Sequence, residues 1–392
     1  WKGSGWPRWK LAVGVRIYDL LCGENLGASQ VLSRAEVLAR LPGLRAEGLT
    51  GGVHYFDGLT NDARLVLDTL HGAENAGAGI VNYLAFADCS DAAATRRCEL
   101  VDTFSGTRFF VNARAIVDAA GAWAARLPRS QVKLRLTKGV HLVVDRTRLA
   151  ITDAVVLPEG GRIVFLIPWG ERVIIGTTDT EYSGDPADVQ PDQSDIAYLL
   201  GVVNSALPRA RLTEADLISS WAGVRPLIAS KKGSAEAPSD LSRSHQIRMS
   251  EPGWFDVAGG KLTTYRLMAE QTVDRVCEYL GGNWRPCSTA TTPLRTDAAV
   301  AFSSVLPPTF AREAVEYYCR HEWVVHLDDL LLRRTSWHFY EKDADRLAWQ
   351  AAHWMAEWLE WDAERLESEL RRYSQQSCPG QVQNSKRGRY DS

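Results

Sequence analysis

Four short stretches carry residue types whose spacing suits chemistry. In Lys138-Gly139-Val140-His141 an imidazole opens an apolar strand pattern. Imidazole titrates near neutrality, so His141 can accept a hydroxyl proton while a hydride leaves the same carbon; a structural or merely hydrogen-bonded histidine is the commoner use of this residue in a strand. In Trp221-Ala222-Gly223-Val224-Arg225-Pro226 an arginine follows what reads as a small-residue turn, with Pro226 fixing the backbone behind it. A guanidinium fork suits phosphate because it donates two parallel hydrogen bonds, and its ordinary alternative is an inter-strand or surface ion pair. In Gly259-Gly260-Lys261-Leu262-Thr263-Thr264 two glycines end an apolar run ahead of a helical pattern from Tyr265 to Leu280. Backbone N–H groups of such a turn approach an anion closely, at a helix end that is itself partly positive. Lys261 adds a mobile charge there, and Thr263 and Thr264 can cap the helix or bind a ligand. Finally, Ala119-Ala120-Gly121-Ala122-Trp123 is a small-residue turn after a buried strand. It leaves room for a flat ring against the backbone, or for close helix–strand packing.

The elements that must hold these residues alternate between strand and helix. Residues 10–40 read as helical, with Leu11, Val15, Tyr18, Leu21 and Cys22 in phase and a second helix from Arg34 to Leu41. Gly51 to Gly58 reads as a strand, and Asn61 or Asp62 caps the helix that follows. Asp57, Asn61, Asp62 and Arg64 are expected to hold that corner together and to do no chemistry. A strand is expected from Ala78 to Ala87, and a hairpin from Glu99–Asp102 and Phe109–Asn112. Strands over Leu134–Thr137, His141–Val144, Ala154–Leu157, Ile163–Pro168 and Val173–Thr178 precede a helix from Asp192 to Ala206 and a strand from Leu217 to Arg225. Gly176-Thr177-Thr178-Asp179 reads as a turn whose aspartate caps the backbone. After about residue 290 the pattern turns helical and Trp-rich, with helices over Glu313–Arg320, Leu327–Arg334, Asp343–Leu359 and Asp362–Tyr373. Their tryptophans are expected in a core. The polar end from Ser374 reads as disordered.

Composition bounds the function classes. The 392 residues, 45% hydrophobic and 24% charged, suit a soluble chain of about two domains, and a net charge of −3 argues against nucleic-acid binding. No apolar run reaches membrane-spanning length. Seven cysteines without a Cys-x-x-Cys pair, and eight histidines without a His-Glu-x-x-His pattern, give no metal site and suggest reduced thiols in a cytoplasm. The opening Trp1-Lys2-Gly3-Ser4-Gly5-Trp6-Pro7 reads as the interior of a longer protein.

In order and spacing, Gly51-Gly52-Val53-His54-Tyr55-Phe56-Asp57, Ala119–Trp123, Thr137–His141, Gly176–Asp179, Trp221–Leu227 and Gly259–Arg266 together resemble the FAD-dependent glycerol-3-phosphate dehydrogenases over most of residues 10–375. The resemblance implies an α/β fold with a Rossmann-like FAD-binding layer, an antiparallel β substrate region and a C-terminal all-α domain, divided as 1–290, 291–375 and a tail at 376–392. It implies FAD against Ala120, Gly121, Trp123, Gly259, Gly260, Lys261, Leu262, Thr263 and Thr264. It also implies a phosphorylated substrate on His141, Arg225, Arg243 and Lys261, with His141, Arg225 and Lys261 as the catalytic set. The implied reaction is oxidation of sn-glycerol 3-phosphate to dihydroxyacetone phosphate, with a quinone as final acceptor, peripheral attachment to the cytoplasmic membrane and a homodimer as further expectations. The family's Gly-x-Gly-x-x-Gly turn for the FAD pyrophosphate has no counterpart here, since Gly3-Ser4-Gly5 runs into Trp6-Pro7. Three readings therefore stand side by side: a dehydrogenase, an oxidase or related flavin oxidase, and an inactive fragment that folds or associates without turnover.

Overall fold

The computed structural model describes residues 1–2, 7–21, 27–92, 94–159, 162–229, 244–294 and 302–376. Helix α1 (Arg8–Leu21) follows the expected apolar spacing, but the helical reading of residues 10–40 is broken at Gln30–Leu32, which is a strand, β1, ahead of the expected second helix. Ser33 is the physical reason for the break. Its hydroxyl accepts from Glu36 N while the Glu36 carboxylate accepts from Ser33 N, a reciprocal cap that starts α2 (Arg34–Arg40) afresh. β2 (Gly52–His54) pairs antiparallel with β1, and α3 (Asp62–Asn75) begins where Asn61 accepts from Arg64 N at 3.2 Å.

A meander of β3 (Leu84–Ala92), β4 (Thr95–Asp102) and β5 (Arg108–Ala113) contains the expected hairpin. The strand expected from Ala78 starts only at Leu84, since Tyr83 sits at φ 55, a conformation that ends an extended run. β6 (Ile116–Asp118) then runs into a 3₁₀ turn at Gly121–Arg126.

The main sheet follows. β7 (Leu134–Asp145) is one continuous strand where two were expected, and it pairs with every neighbour that matters. β8 (Val155–Glu159), β9 (Arg162–Trp169) and β10 (Arg172–Gly176) extend the sheet antiparallel from one edge of β7, and β11 (Thr180–Tyr182) shares that edge with β10. Helix α4 (Gln193–Ala206) covers one face. β12 (Leu217–Ile228) closes the other edge of β7 along its whole length, from Leu217 opposite Val144 to Ile228 opposite Leu134. The segment Trp221-Ala222-Gly223 is therefore mid-strand rather than a turn. Pro226 is tolerated there because β12 is an edge strand.

Alternation along β7 sorts its side chains. Val140, Leu142 and Val144 are fully buried in the core beneath α4, each contributing about 1.5–3 kcal/mol. On that face Lys138 reaches Asp192 and Asp195 at 2.6 Å each, tying the capped start of α4 to the strand. Thr137, Gly139 and His141 project to the opposite face.

β13 (His245–Glu251) and β14 (Trp254–Gly259) form a hairpin, and β14 runs parallel to β6, with Trp254 to Asp256 opposite Ile116 to Asp118. This parallel pair, followed by α5 (Tyr265–Leu280), is the Rossmann-like layer within the described residues. The C-terminal helices are α6 (Arg312–His321), α7 (Trp337–Tyr340), α8 (Ala344–Leu359) and α9 (Ala363–Gln376). Between α6 and α7 the segment expected as an α-helix is wound as a π-helix at Asp329–Arg334. α9 continues through Gln376, past the point where the sequence reads as a tail; residues 377–392 lie outside the described residues. These helices enclose their own core around Tyr318, Trp337 and Met355, while Trp349 stays exposed.

The helical region is docked on the site-bearing sheet and on the segments that precede it. Ser219 Oγ donates to Phe339 O at 2.6 Å, Arg172 Nε donates to Tyr340 O at 2.7 Å, and Lys342 pairs with Asp145 at 2.6 Å. Arg64 of α3 makes two bonds to the fully buried Glu322, at 2.5 and 2.8 Å. Tyr83 OH donates to Asp329 at 2.8 Å.

Candidate active site

The register of β7 with its neighbours writes the site as rows across one sheet face. Gly176, His141 and Trp221 are successive partners in one row. Gly139 and Gly223 oppose each other two residues on, and Thr137 faces Arg225 in the next row. Glycine is required at two of these places by close approach. The His141 ring lies over Gly176, where a Cβ would overlap it. On its other side the ring stacks on Trp221, with centroids 5.2 Å apart and planes at 20°, and Trp221 is backed by Phe339 of α7 at 5.1 Å. The second place is Gly139: a Cβ there would come within 2.7 Å of Arg225 Nη2 and 2.9 Å of Nη1, so the guanidinium lies directly across this glycine.

Arg225 is held in that position by the loop between β10 and β11. Nη2 donates to Thr177 Oγ1 at 3.2 Å, and Nη1 donates to Thr178 O and Asp179 Oδ1, each at 3.4 Å. The loop is pinned to β7 in turn, since Val140 N donates to Thr178 Oγ1 at 3.0 Å. Asp179, expected to cap the backbone, is instead the carboxylate facing Arg225. Sequence spacing could flag Gly176-Thr177-Thr178-Asp179, but not the register that turns it toward the arginine.

The electrostatics follow from this packing. Burial, with the nearby Arg225 charge adding to it, pushes His141 down to about 4, while the Asp62 carboxylate at the start of α3 pulls the other way. His141 is therefore a neutral imidazole at neutral pH. Its Nδ1 is buried and has no hydrogen-bond partner among the described residues. The Asn61–Asp62 corner, expected to be structural, thus also acts electrostatically on His141.

The remaining candidates lie on the Rossmann-like layer. Gly259 and Gly260 form the turn expected before α5, and the structure shows it to be left-handed, at φ 73 and 85. A Cβ at Gly259 would meet Ile228 of β12 at 2.7 Å, so this turn packs directly against the end of the strand bearing Arg225. Beyond it Lys261 and Thr263 are exposed, Leu262 is 46% exposed, and Thr264 accepts from Lys261 N at 3.3 Å. Lys261 makes no ion pair among the described residues, and no contact joins it to His141. Gly121 has φ 58, Ala120 N donates to Asp118 at 3.0 Å, and Trp123 is 44% exposed. Arg243 lies outside the described residues. The structure thus brings His141 and Arg225 together and leaves two small-residue turns and Lys261 presenting backbone and charge nearby in the chain's second layer. Away from this site, His326, Asp328 and Glu369 also cluster, but Arg365, Arg333 and Arg372 already pair with the two carboxylates.

Comparisons with known proteins give matches over both parts of the chain. A family model described as FAD dependent oxidoreductase matches residues 6–272, and one described as the C-terminal domain of alpha-glycerophosphate oxidase matches residues 287–366. Aerobic glycerol-3-phosphate dehydrogenase of Staphylococcus aureus (strain USA300) is 34% identical over 302 residues, 74% of this chain and 54% of the relative. The chain therefore spans about half the length of the curated relatives it matches. Among solved structures, the glycerol-3-phosphate dehydrogenase from Bacillus halodurans complexed with FAD superposes with a TM-score of 0.74 at 30% identity, covering 88% of this chain and 78% of the other. The L-alpha-glycerophosphate oxidase from Mycoplasma pneumoniae with FAD bound shares the fold, with a TM-score of 0.51 at 17% identity over 69% of this chain and 70% of its own.

Proposed function

The chain belongs to the FAD-dependent oxidoreductase family, and on that premise we propose that it bears the substrate side of an enzyme oxidising sn-glycerol 3-phosphate to dihydroxyacetone phosphate. The observation that carries the reading is a neutral imidazole beside a fixed guanidinium on one face of β7 and β12. A secondary alcohol next to a phosphoryl group calls for these two: a proton acceptor at the hydroxyl and a cation for the phosphate. Arg225 takes the phosphate, with Arg243 and Lys261 completing the cradle. His141 faces the C2 hydroxyl, its ring fixed between Gly176 and Trp221. A phosphate dianion on Arg225 offsets the positive charge that helps depress His141, so the base strengthens when substrate arrives.

The residues present fit the ring portion of FAD: two glycine turns at positive φ, with half-exposed Trp123 and Leu262 beside them in sequence. Ala120, Gly121, Trp123 and Gly259 to Thr264 would hold it, and when bound FAD supplies the hydride acceptor. The chain's own residues supply orientation, the proton acceptor and the charge. We assign residues 1–290 to the oxidoreductase domain and 291–375 to a helical domain.

A quinone as final acceptor, reached by peripheral attachment to the inner face of the cell membrane, accords with the aerobic dehydrogenase relatives; a homodimer belongs to the same proposal. No described helix is long and apolar enough to cross a membrane. The C-terminal match named for an oxidase favours a second reading, in which oxygen takes the electrons. Turnover with glycerol 3-phosphate should reduce a quinone analogue without releasing peroxide; stoichiometric peroxide would select the oxidase. Arg225→Ala should raise KM for glycerol 3-phosphate far more than it weakens flavin binding, and equal losses would remove the arginine from the phosphate site.

A further inference from the structure

Two carboxyls lie side by side beneath the Gly121 turn. Asp118 ends β6 and Asp256 is its direct partner on the parallel strand β14. Both are almost wholly buried, at 2% and 1% exposure. Their hydrogen bonds are unequal. Asp256 accepts from Trp254 Nε1 at 2.8 Å, from Gln131 N at 3.1 Å and from Ser250 Oγ. Asp118 accepts from Ala120 N at 3.0 Å through Oδ1, while its buried Oδ2 finds no donor among the described residues. What faces Asp118 is the Asp256 carboxyl, with the Ser130 hydroxyl beside both.

Among the described residues no cation answers this pair. The charged groups on the packed elements are engaged elsewhere: Arg126 with Asp185, Arg129 and Arg96 with Glu251, and Arg248 with Gln131. Among the described residues neither Asp118 nor Asp256 makes an ion pair. Two adjacent buried carboxylates would repel and would each lose hydration, so such a pair retains one proton.

We propose that Asp118 is an un-ionised carboxylic acid in the folded chain, donating its proton to Asp256, and that this acid–carboxylate pair positions the Ala119–Gly121 turn. The donor inventory decides which member holds the proton. Asp256 already receives three donors, which suit a carboxylate, whereas Asp118 receives one and has an oxygen free to carry the hydrogen. The electrostatics agree: burial first, and then the Asp256 carboxyl, push Asp118 up against the opposing Ala120 and Ser130 bonds. Burial acts on Asp256 as well, but the Ser250, Gln131 and Trp254 bonds outweigh it and hold that carboxyl low. The pair therefore joins the two strand ends whose turns present Gly121 and Gly259–Gly260. Asp118 is a positioning residue: it fixes Ala120 N and touches no substrate. Its bearing on flavin rests on the reading above; the proton itself does not.

The sign of the pH effect follows directly. A folded-state value raised above the unfolded one means that the folded chain holds the extra proton. Stability from this group is complete below the unfolded value and is lost as pH rises through the folded one. Across that window the folding constant should fall tenfold per pH unit relative to a chain without the titration. Asp118→Asn keeps the donor and the shape of the acid but cannot ionise, so it should fold with that extra slope removed. Asp118→Ala should be destabilised at every pH.

The test is carboxyl carbon-13 NMR on the full chain labelled at aspartate. An aspartate resonance that leaves the un-ionised range at a higher pH than the other aspartates, and that disappears in Asp118→Asn, is the expected result. Absence of such a resonance in the unmutated chain would overturn the proposal even if the variant failed to fold. Its persistence in Asp118→Asn, or identical pH–stability slopes for the two chains, would do the same. Neither readout needs flavin or substrate, so failure here leaves the dehydrogenase reading standing.

Discussion

Replacing Gly139 by alanine should damage phosphate recognition while sparing the fold. The backbone there is extended strand without a positive φ, so the alanine is conformationally allowed and restricts the unfolded chain slightly. Its methyl, however, would stand 2.7 Å from both Arg225 Nη2 and Thr177 Oγ1, its hydrogen-bond partner, against the 3.4 Å at which ordinary contact begins. The guanidinium must retreat by about 0.7 Å. Its bonds to Thr177, Thr178 and Asp179 are already 3.2–3.4 Å long and cannot follow. Losing one charge-assisted bond of about 2 kcal/mol corresponds to about a thirtyfold fall in kcat/KM for glycerol 3-phosphate. Gly223→Ala is the matched comparison, since it lies directly opposite and its methyl meets nothing within 4 Å. Steady-state dye reduction by the FAD-loaded chain, with thermal unfolding in parallel, gives both quantities. An unchanged kcat/KM, or a collapse of the melting temperature in Gly139→Ala, would refute the placement of Arg225 over this glycine as the source of phosphate binding.

Other outcomes follow from the same geometry. Adding glycerol 3-phosphate should move His141 upward from about 4, seen as a shift of its ring resonances by NMR titration, because the dianion offsets Arg225. His141 and His338 are both pushed down to about 4, chiefly by burial, so the unfolded chain binds more protons than the folded one between pH 6.5 and 4. Stability should therefore fall across that window by about 3 kcal/mol per histidine, checked by denaturant unfolding at stepped pH. Arg64→Leu leaves Glu322 buried without its main partner and should cost about 3–5 kcal/mol by urea unfolding, whereas the double change with Glu322→Leu should recover part of the loss. Gly260→Ala should lower both stability and flavin affinity, measured by thermal unfolding and FAD fluorescence titration, because its φ of 85 strains an alanine and the methyl would overlap Met268 Sδ.

Local patterns were legible in the sequence where local physics decides them. The α5 boundaries emerged because a glycine turn precedes an uninterrupted amphipathic run, and the Asn61 cap because a capping side chain needs only its own helix. Residues 30–32 were misjudged because strand pairing with β2 outweighed a helical periodicity that the Ser33 cap interrupts. β7 looked like two strands because Gly139 breaks the apolar pattern, and the glycine is explained by Arg225 and Thr177 lying across it. The site was legible as residue types and not as geometry. His141 and Arg225 could be singled out, but their shared face depends on the β7–β12 register, and Asp179, Thr177 and Trp221 acquire their roles through long-range contacts. Asp118 went unremarked because nothing local indicates that Asp256 becomes its neighbour.

The most direct test of the central claim is anaerobic: the purified chain is loaded with FAD, and glycerol 3-phosphate is titrated in while the flavin absorbance is followed. The account predicts saturable bleaching that Arg225→Ala shifts to much higher substrate concentration and His141→Ala slows at saturation. Flavin that binds but does not bleach, or that bleaches equally with unphosphorylated glycerol, would contradict it.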